Sequence, residues 1–254
     1  DVLGGFLISI IVFKILNEYF IKKFDLFTVN KMLDFGQVVL LHFFLLLTLM
    51  IILLTVGPSF DLFFSSVFYL GENNFLLQGY YITTRIFREF LLPLILFYIL
   101  ILPLFSKFTF INKMFFGHCF GLRSIVFIWL YFVLVLGVFV NMFLKNFWGR
   151  VRPDDILDFG GGGAFTPWYE ISDACSSNCS FVSGDSSVGF SIVILYFITK
   201  KNIYAYLGIV GGFLLGLVRI AEGGHYLSDV LFSSFFIILL SYTFSKIYSS
   251  ANGK

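Results

Sequence analysis

Residues 38–56 form a 19-residue apolar run whose one ionisable member is His42. About 20 such residues are what a helix needs to cross the hydrocarbon core of a bilayer. In lipid the backbone must satisfy its own hydrogen bonds, so a chain with such runs is confined to helices or closed barrels. The run recurs. Residues 90–105 carry Pro93 and Pro103 and read as a shorter, kinked span. Residues 124–144 are a clean span, and 181–199, 203–218 and 226–248 bring the count to six. Charged residues make up only 13% of the 254, and apolar ones 59%, whereas a soluble domain has about 25% charged. Too few charges exist to coat a water-facing surface, which excludes a cytosolic globular enzyme and a disordered chain. A net charge of +2 also gives no basic field for nucleic acid. The 37 phenylalanines read as lipid-facing and packing material.

The expected fold is therefore all-α, a polytopic transmembrane helical bundle with six core spans in a single membrane domain over residues 1–254. Residues 2–20, interrupted by Lys14 and Glu18, read as an N-terminal helix lying in the interface, with a seventh span as the alternative. They have no basic n-region or small-residue cleavage site, so they do not read as a signal peptide. The segment 199–202 (TKKN) allows only a tight hairpin between spans four and five. The end of span three, the start of span four, the end of span five and the start of span six then share one face. That face carries the polar segments 145–187 and 219–225. The opposite face holds eleven Lys and Arg against six here, so the positive-inside rule makes the chemically loaded face extracytoplasmic.

Three constellations lie on that face. Lys145 and Arg152 stand seven apart in KNFWGRVRP, closed by Pro153. Ser183-Gly184-Asp185 precedes span four. Arg219 leads through Glu222 and two glycines to His225 and Asp229. His225 and Asp229 are spaced i, i+4 and share a helix face. An aspartate there can accept a hydrogen bond from one ring N–H, fixing the tautomer and leaving the other nitrogen as nucleophile or base. Lys145, Arg152 and Arg219 come from three helix ends, and such a cluster is costly unless an anion neutralises it. Arginine forks suit phosphate oxygens and lysine adds a point charge. Ser183 and Gly184 can offer a hydroxyl and backbone N–H groups at a helix start. The residues describe a phosphate cage with an oriented histidine.

This pattern resembles the type 2 phosphatidic acid phosphatase superfamily of membrane lipid phosphatases, whose motifs are K-x6-R-P, P-S-G-H and S-R-x5-H-x3-D. Here they read Lys145…Arg152-Pro153, Val182-Ser183-Gly184-Asp185 and Val218-Arg219…His225…Asp229. By motif, the resemblance covers a catalytic core at residues 120–248. It implies a phosphomonoester hydrolase in which His225 attacks phosphorus to form a phosphohistidine and Asp229 orients it. Lys145, Arg152, Arg219, Ser183 and Gly184 would hold the phosphoryl oxygens, with no metal or other cofactor. Asp185 stands where the family has the histidine that protonates the leaving group. A carboxylic acid does that work only while it keeps its proton, which three neighbouring cations disfavour, so Asp185 as acid and Asp185 as cation holder both stay open.

FWGRVRPDDI, the glycine run 160–163 with FTPW, and NCSFVSGD further resemble the lipid A 4′-phosphatase group of Gram-negative inner membranes. The implied partner is a phosphorylated membrane lipid in the bilayer, and the implied place a bacterial inner membrane with the site facing the periplasm. A lipid A 1-phosphatase, a phosphatidylglycerophosphate phosphatase and a polyprenyl diphosphate phosphatase remain as alternatives, as do an anion transporter and an inactive lipid-binding relative. Plainer roles fall to the other polar residues. Arg150 is off the motif's phase and reads as a headgroup contact or solvated. Arg85 and Arg88 read as headgroup anchors, Glu222 as a holder of Arg219, Trp148 and Trp168 as interface aromatics, and His42 and His118 as structural. Cys119 should stay reduced, while Cys175 and Cys179 read equally as a bridge or as free thiols.

Overall fold

The computed structural model describes residues 57, 59–78, 93, 96–97, 101, 104–105 and 122–251. The expected interfacial helix at 2–20 and the span at 38–56 lie outside the described residues, as do Arg85, Arg88, His42, His118 and Cys119; so does most of the span at 90–105. The chain divides into two compact units, residues 1–63 and 64–254.

The described part is mostly helical. After α1 (Ser59–Ser66) comes a small hairpin, β1 (Tyr69–Gly71) antiparallel to β2 (Asn74–Phe75). It is an addition to the all-α expectation, since strands this short carry no alternation to read. Tyr69 and Phe75 pack against Phe159, tilted and edge-on, at centroid distances of 5.0 and 5.4 Å. Leu77 N–H donates to the Ala221 carbonyl at 3.0 Å, which ties the segment after the hairpin to the end of a later helix.

A long rod follows: α2 (Leu122–Phe132), a π-helical stretch over Val133–Leu144, and α3 (Lys145–Trp148). Next come two single 3₁₀ turns in the polar loop, then α4 (Gly184–Ser191), α5 (Val193–Thr199), α6 (Asn202–Ala221) and α7 (Leu227–Ala251). Among the described residues three helices are long and apolar enough to cross a membrane: Leu122–Asp155, Asn202–Ala221 and Leu227–Ser250. The expected fourth span is shorter than the sequence implied. Its helix begins at Gly184 rather than near 181, because Ser183 is extended (φ −68°, ψ 114°). At 1.5 Å per residue, Gly184–Thr199 covers about 24 Å, less than the ~30 Å of a hydrocarbon core.

The turn between α5 and α6 is as tight as the sequence requires, with Lys200 left-handed (φ 61°) and its N–H on the Tyr196 carbonyl at 2.7 Å. Small residues then let α6 pack closely against α4, α5 and α7, with a Cβ on Gly189 falling 2.6 Å from the Gly212 backbone. Gly208, Gly212 and Gly216 recur every four residues on α6. A Cβ on them would strike Val193, Phe190 and Val230 at 2.6, 2.4 and 2.4 Å. Ser186 Oγ donates to the Gly212 carbonyl at 2.7 Å inside this seam, the kind of small-residue, hydrogen-bonded contact that holds helices together in lipid. The packing brings the start of α4 beside the end of α6. Tyr131 and Ser241 join α2 to α7 by a buried 2.6 Å hydrogen bond.

Candidate active site

Gly149 ends α3 in a left-handed turn (φ 58°), and a Cβ there would overlap the Ser172 carbonyl oxygen at 1.7 Å. Only glycine fits both demands. The chain beyond it runs extended, and the loop 172–180 zips onto it. Ser172, Cys175 and Ser180 donate their N–H groups to the carbonyls of Trp148, Gly149 and Arg150 at 3.0, 3.1 and 2.8 Å. Trp148 donates Nε1–H to the Trp168 carbonyl at 2.7 Å and stacks on Phe181 at 4.4 Å. It therefore fastens the loop and is more than an interface aromatic. Cys175 and Cys179 form a disulfide, which settles their state.

At the base lies Asp229, fully buried in the first turn of α7. Oδ1 accepts from Arg150 Nη1 at 2.7 Å. Oδ2 accepts from Ser180 Oγ at 2.5 Å and from the Tyr226 N–H at 2.9 Å, and lies 3.6 Å from His225 Nδ1. Arg150 is wholly buried. It donates Nε–H to the Thr166 carbonyl at 2.9 Å and Nη1–H to Ser228 Oγ at 2.8 Å, and its guanidinium lies 4.0 Å from the Tyr226 ring centroid. This corrects the expected headgroup or solvated position. A carboxylate with no water around it needs a compensating charge, and Arg150 supplies it. No spacing rule reveals the pair, because 79 residues separate the partners.

His225 is 2% exposed, and its Nδ1 has no hydrogen bond closer than the long approach to Asp229. Burial above all pushes its pKa down to about 3. The positive fields of Arg219 and Arg152 add to that, while Asp229 opposes it. The imidazole is neutral at pH 7 and keeps a lone pair for an electrophile.

Arg219 and Arg152 lie close enough for their charge to act on His225. Arg219, at the end of α6 and 4% exposed, reaches Asp185 Oδ2 with Nε at 3.3 Å and forms a close ion pair with Glu222. A Cβ on Gly224 would fall 2.2 Å from its Nη2, so glycine there leaves room for the guanidinium. Lys145 comes from the start of α3, and its ammonium would stand 3.3 Å from a Cβ on Gly184, which places the first motif against the second. Arg152 arrives on the extended segment. Ser183 Oγ is buried without a partner among the described residues, and it makes no cap to its own helix. Its carbonyl is held by Ser187 Oγ at 2.7 Å and Ser233 Oγ at 3.0 Å. The eight residues read from sequence as site members thus lie in three linked groups: Lys145 with Gly184, Arg219 with Asp185, and His225 with Asp229, with Ser183 beside Asp229 and Arg152 near enough to bias His225. Arg150, Ser180 and Asn178 were not among them. Asn178 accepts from both Lys145 and Arg152.

A model of the PAP2 superfamily matches residues 126–252, half of the chain. A lipid A 4′-phosphatase from Francisella tularensis subsp. novicida (strain U112) is 41% identical over 107 residues, which is 41% of this chain and 48% of that protein. Lipid A 4′-phosphatases from Rhizobium etli (strain ATCC 51251 / DSM 11541 / JCM 21823 / NBRC 15573 / CFN 42) and Rhizobium leguminosarum are 42% and 40% identical over 94 and 95 residues. These cover 36% of this chain in both cases, and 37% and 41% of the relatives. The chain thus matches less than half the length of each of these relatives. No solved structure matches it.

Proposed function

The chain belongs to the PAP2 superfamily, and from that premise we propose that it is an integral-membrane lipid phosphatase hydrolysing a phosphomonoester on a lipid headgroup. The observation that carries this is the neutral, buried His225 set against Asp229 and within the positive fields of Arg219 and Arg152, together with the helix start where Lys145 meets Gly184 and the Ser183 hydroxyl has no partner among the described residues. The lone pair of the ring nitrogen that does not face Asp229 forms a P–N bond as the P–O bond to the lipid breaks, and the departing oxygen takes a proton from water. Water then attacks phosphorus, the P–N bond breaks, and inorganic phosphate leaves with His225 neutral again. The guanidinium and ammonium groups hold the phosphoryl oxygens while charge builds on them, which is where fixed donors lower a barrier most. Asp185, engaged with Arg219, is read as holding that arginine.

The substrate we favour is the 4′-phosphate of lipid A, on the likeness to the three named relatives. On this reading the chain is a six-span protein of a bacterial inner membrane forming one membrane domain, with its catalytic core over 120–248 and its site facing the periplasm. Two features support that orientation: the excess of Lys and Arg on the other face, and a disulfide in the loop over the site, since such bridges persist in oxidising compartments. The test is phosphate release by the purified protein from a micellar panel of lipid A, its 1-dephospho and 4′-dephospho forms, phosphatidylglycerophosphate and a polyprenyl diphosphate. Release from lipid A and from its 1-dephospho form, with none from the 4′-dephospho form, is expected. Release from the diphosphate alone would replace the assignment, and release from none would remove it.

A further inference from the structure

Lys145 and Arg152 reach the cage from different pieces of backbone, α3 and the extended segment beyond Gly149. Asn178 touches both. Asn178 Oδ1 accepts from the Lys145 ammonium at 3.3 Å, while the Asn178 main-chain oxygen accepts from Arg152 Nε at 3.1 Å and Nη2 at 2.8 Å. Asn178 is in the left-handed region (φ 51°) and lies inside the five-residue ring closed by the Cys175–Cys179 disulfide. Main-chain hydrogen bonds from Cys175 and from Ser180, just beyond the ring, tie the loop to Gly149 and Arg150, and within the ring the Asn178 carbonyl meets Arg152 directly. The middle of the ring faces no core. Ser176, Ser177 and Asn178 border a cleft of about 510 Å³, together with Arg152, Asp154 and Asp155. A loop with open space beside it is not held by packing, so the covalent link supplies the constraint that packing does not.

We propose that Asn178 is a positioning residue for the phosphate cage, setting Lys145 and Arg152 at a common spacing, and that the Cys175–Cys179 bridge is what fixes it there. The proposal rests on the phosphatase reading above. Opening the bridge with a dithiol reductant breaks the S–S bond, gives two thiols and oxidises the reductant to its own disulfide. The loop then relaxes toward the cleft, the Asn178 carbonyl leaves Arg152, and the two cations no longer meet a phosphoryl group together.

The experiment uses the full chain in detergent, with bridge state read by alkylation and mass, binding of inorganic phosphate by calorimetry, and KM and kcat on lipid A micelles. Reduced wild type, and separately the Cys175→Ser/Cys179→Ser double variant, should bind phosphate about tenfold more weakly, a change of ~1.4 kcal/mol. KM should rise in parallel, kcat should change less, and the melting temperature should hold within a few degrees. Reductant should do nothing further to the double variant. Asn178→Gly keeps the left-handed backbone and its carbonyl but loses Oδ1, and should show a few-fold loss. If the double variant does not fold, the reduced wild type answers the question alone. Unchanged phosphate affinity with the bridge shown open would overturn the proposal, and so would tighter binding by Asn178→Gly, which would mean that Asn178 fills the place of the phosphate. A wild type that binds phosphate in a bridge-dependent way yet hydrolyses no lipid would leave the clamp standing and remove the phosphatase reading. A wild type that binds no phosphate would overturn both.

Discussion

Arg150 and Arg219 are both buried arginines paired with carboxylates, and they do opposite work. Arg150 sits on ring faces at the floor of the site and gives donors to Thr166, Ser228 and Asp229. Arg219 stands at the rim, held by Asp185 and Glu222 yet close enough for its charge to depress the pKa of His225. The difference teaches that a buried ion pair can serve either to keep a buried carboxylate ionised or to aim a cation, and the partners reveal which.

The largest break in the comparison is Arg150→Met. It leaves Asp229 buried and uncompensated, which costs about 3–5 kcal/mol, and should appear as a sharp fall in melting temperature in detergent. Arg150→Met with Asp229→Asn should recover much of that stability while staying inactive. A single variant melting like wild type would return Arg150 to the periphery.

Arg219→Lys keeps a charge for Asp185 and Glu222 but loses the planar fork. We expect kcat to fall by about 10²–10³, the usual cost of one oxyanion donor, with a far smaller melting change than Arg150→Met. Loss of stability without loss of turnover would reverse the roles of the two arginines.

His225 shares Asp229 with Arg150 and feels the charge of Arg219, and its lowered pKa links stability to pH. The unfolded chain takes up a proton near pH 6.5, while the folded chain refuses it until about pH 3. Stability is therefore full above 6.5 and declines as pH falls through that window, by on the order of 1–2 kcal/mol at pH 5. His225→Gln removes the penalty, so melting curves of wild type and variant should shift in favour of the variant between pH 7.5 and pH 5. A constant gap would mean that the histidine is not held neutral.

The smallest effect is expected at Asp185. If it only steadies Arg219, Asp185→Asn should slow lipid A and an activated aryl phosphate by the same factor, about tenfold or less. A selective loss on the lipid, of about 10²–10⁴, would make it the general acid instead.

Much of this site was legible because it is written locally. The i, i+4 spacing of His225 and Asp229 and the cations at helix ends are visible in a few residues each, and the TKKN hairpin puts those ends on one face. What was not legible depends on contacts between distant segments. Arg150 finds Asp229 across the fold, and Asn178 is one polar loop residue among several until the loop closes on Lys145 and Arg152. The start of α4 was set too early because Phe181 and Val182 look as apolar as the span they precede. The glycines of α6 gave no helix-breaking signal that could be told from a packing seam.

The central claim is that His225 is the nucleophile, and rapid acid-sparing quench of the enzyme during turnover on lipid A, followed by peptide mass mapping, tests it most directly. A phosphoryl group should be found on the His225 side chain in wild type and should vanish on His225→Ala together with more than about 99% of the turnover, as loss of a nucleophile demands. An unmodified His225 peptide during steady turnover, with His225→Ala still active, would contradict it.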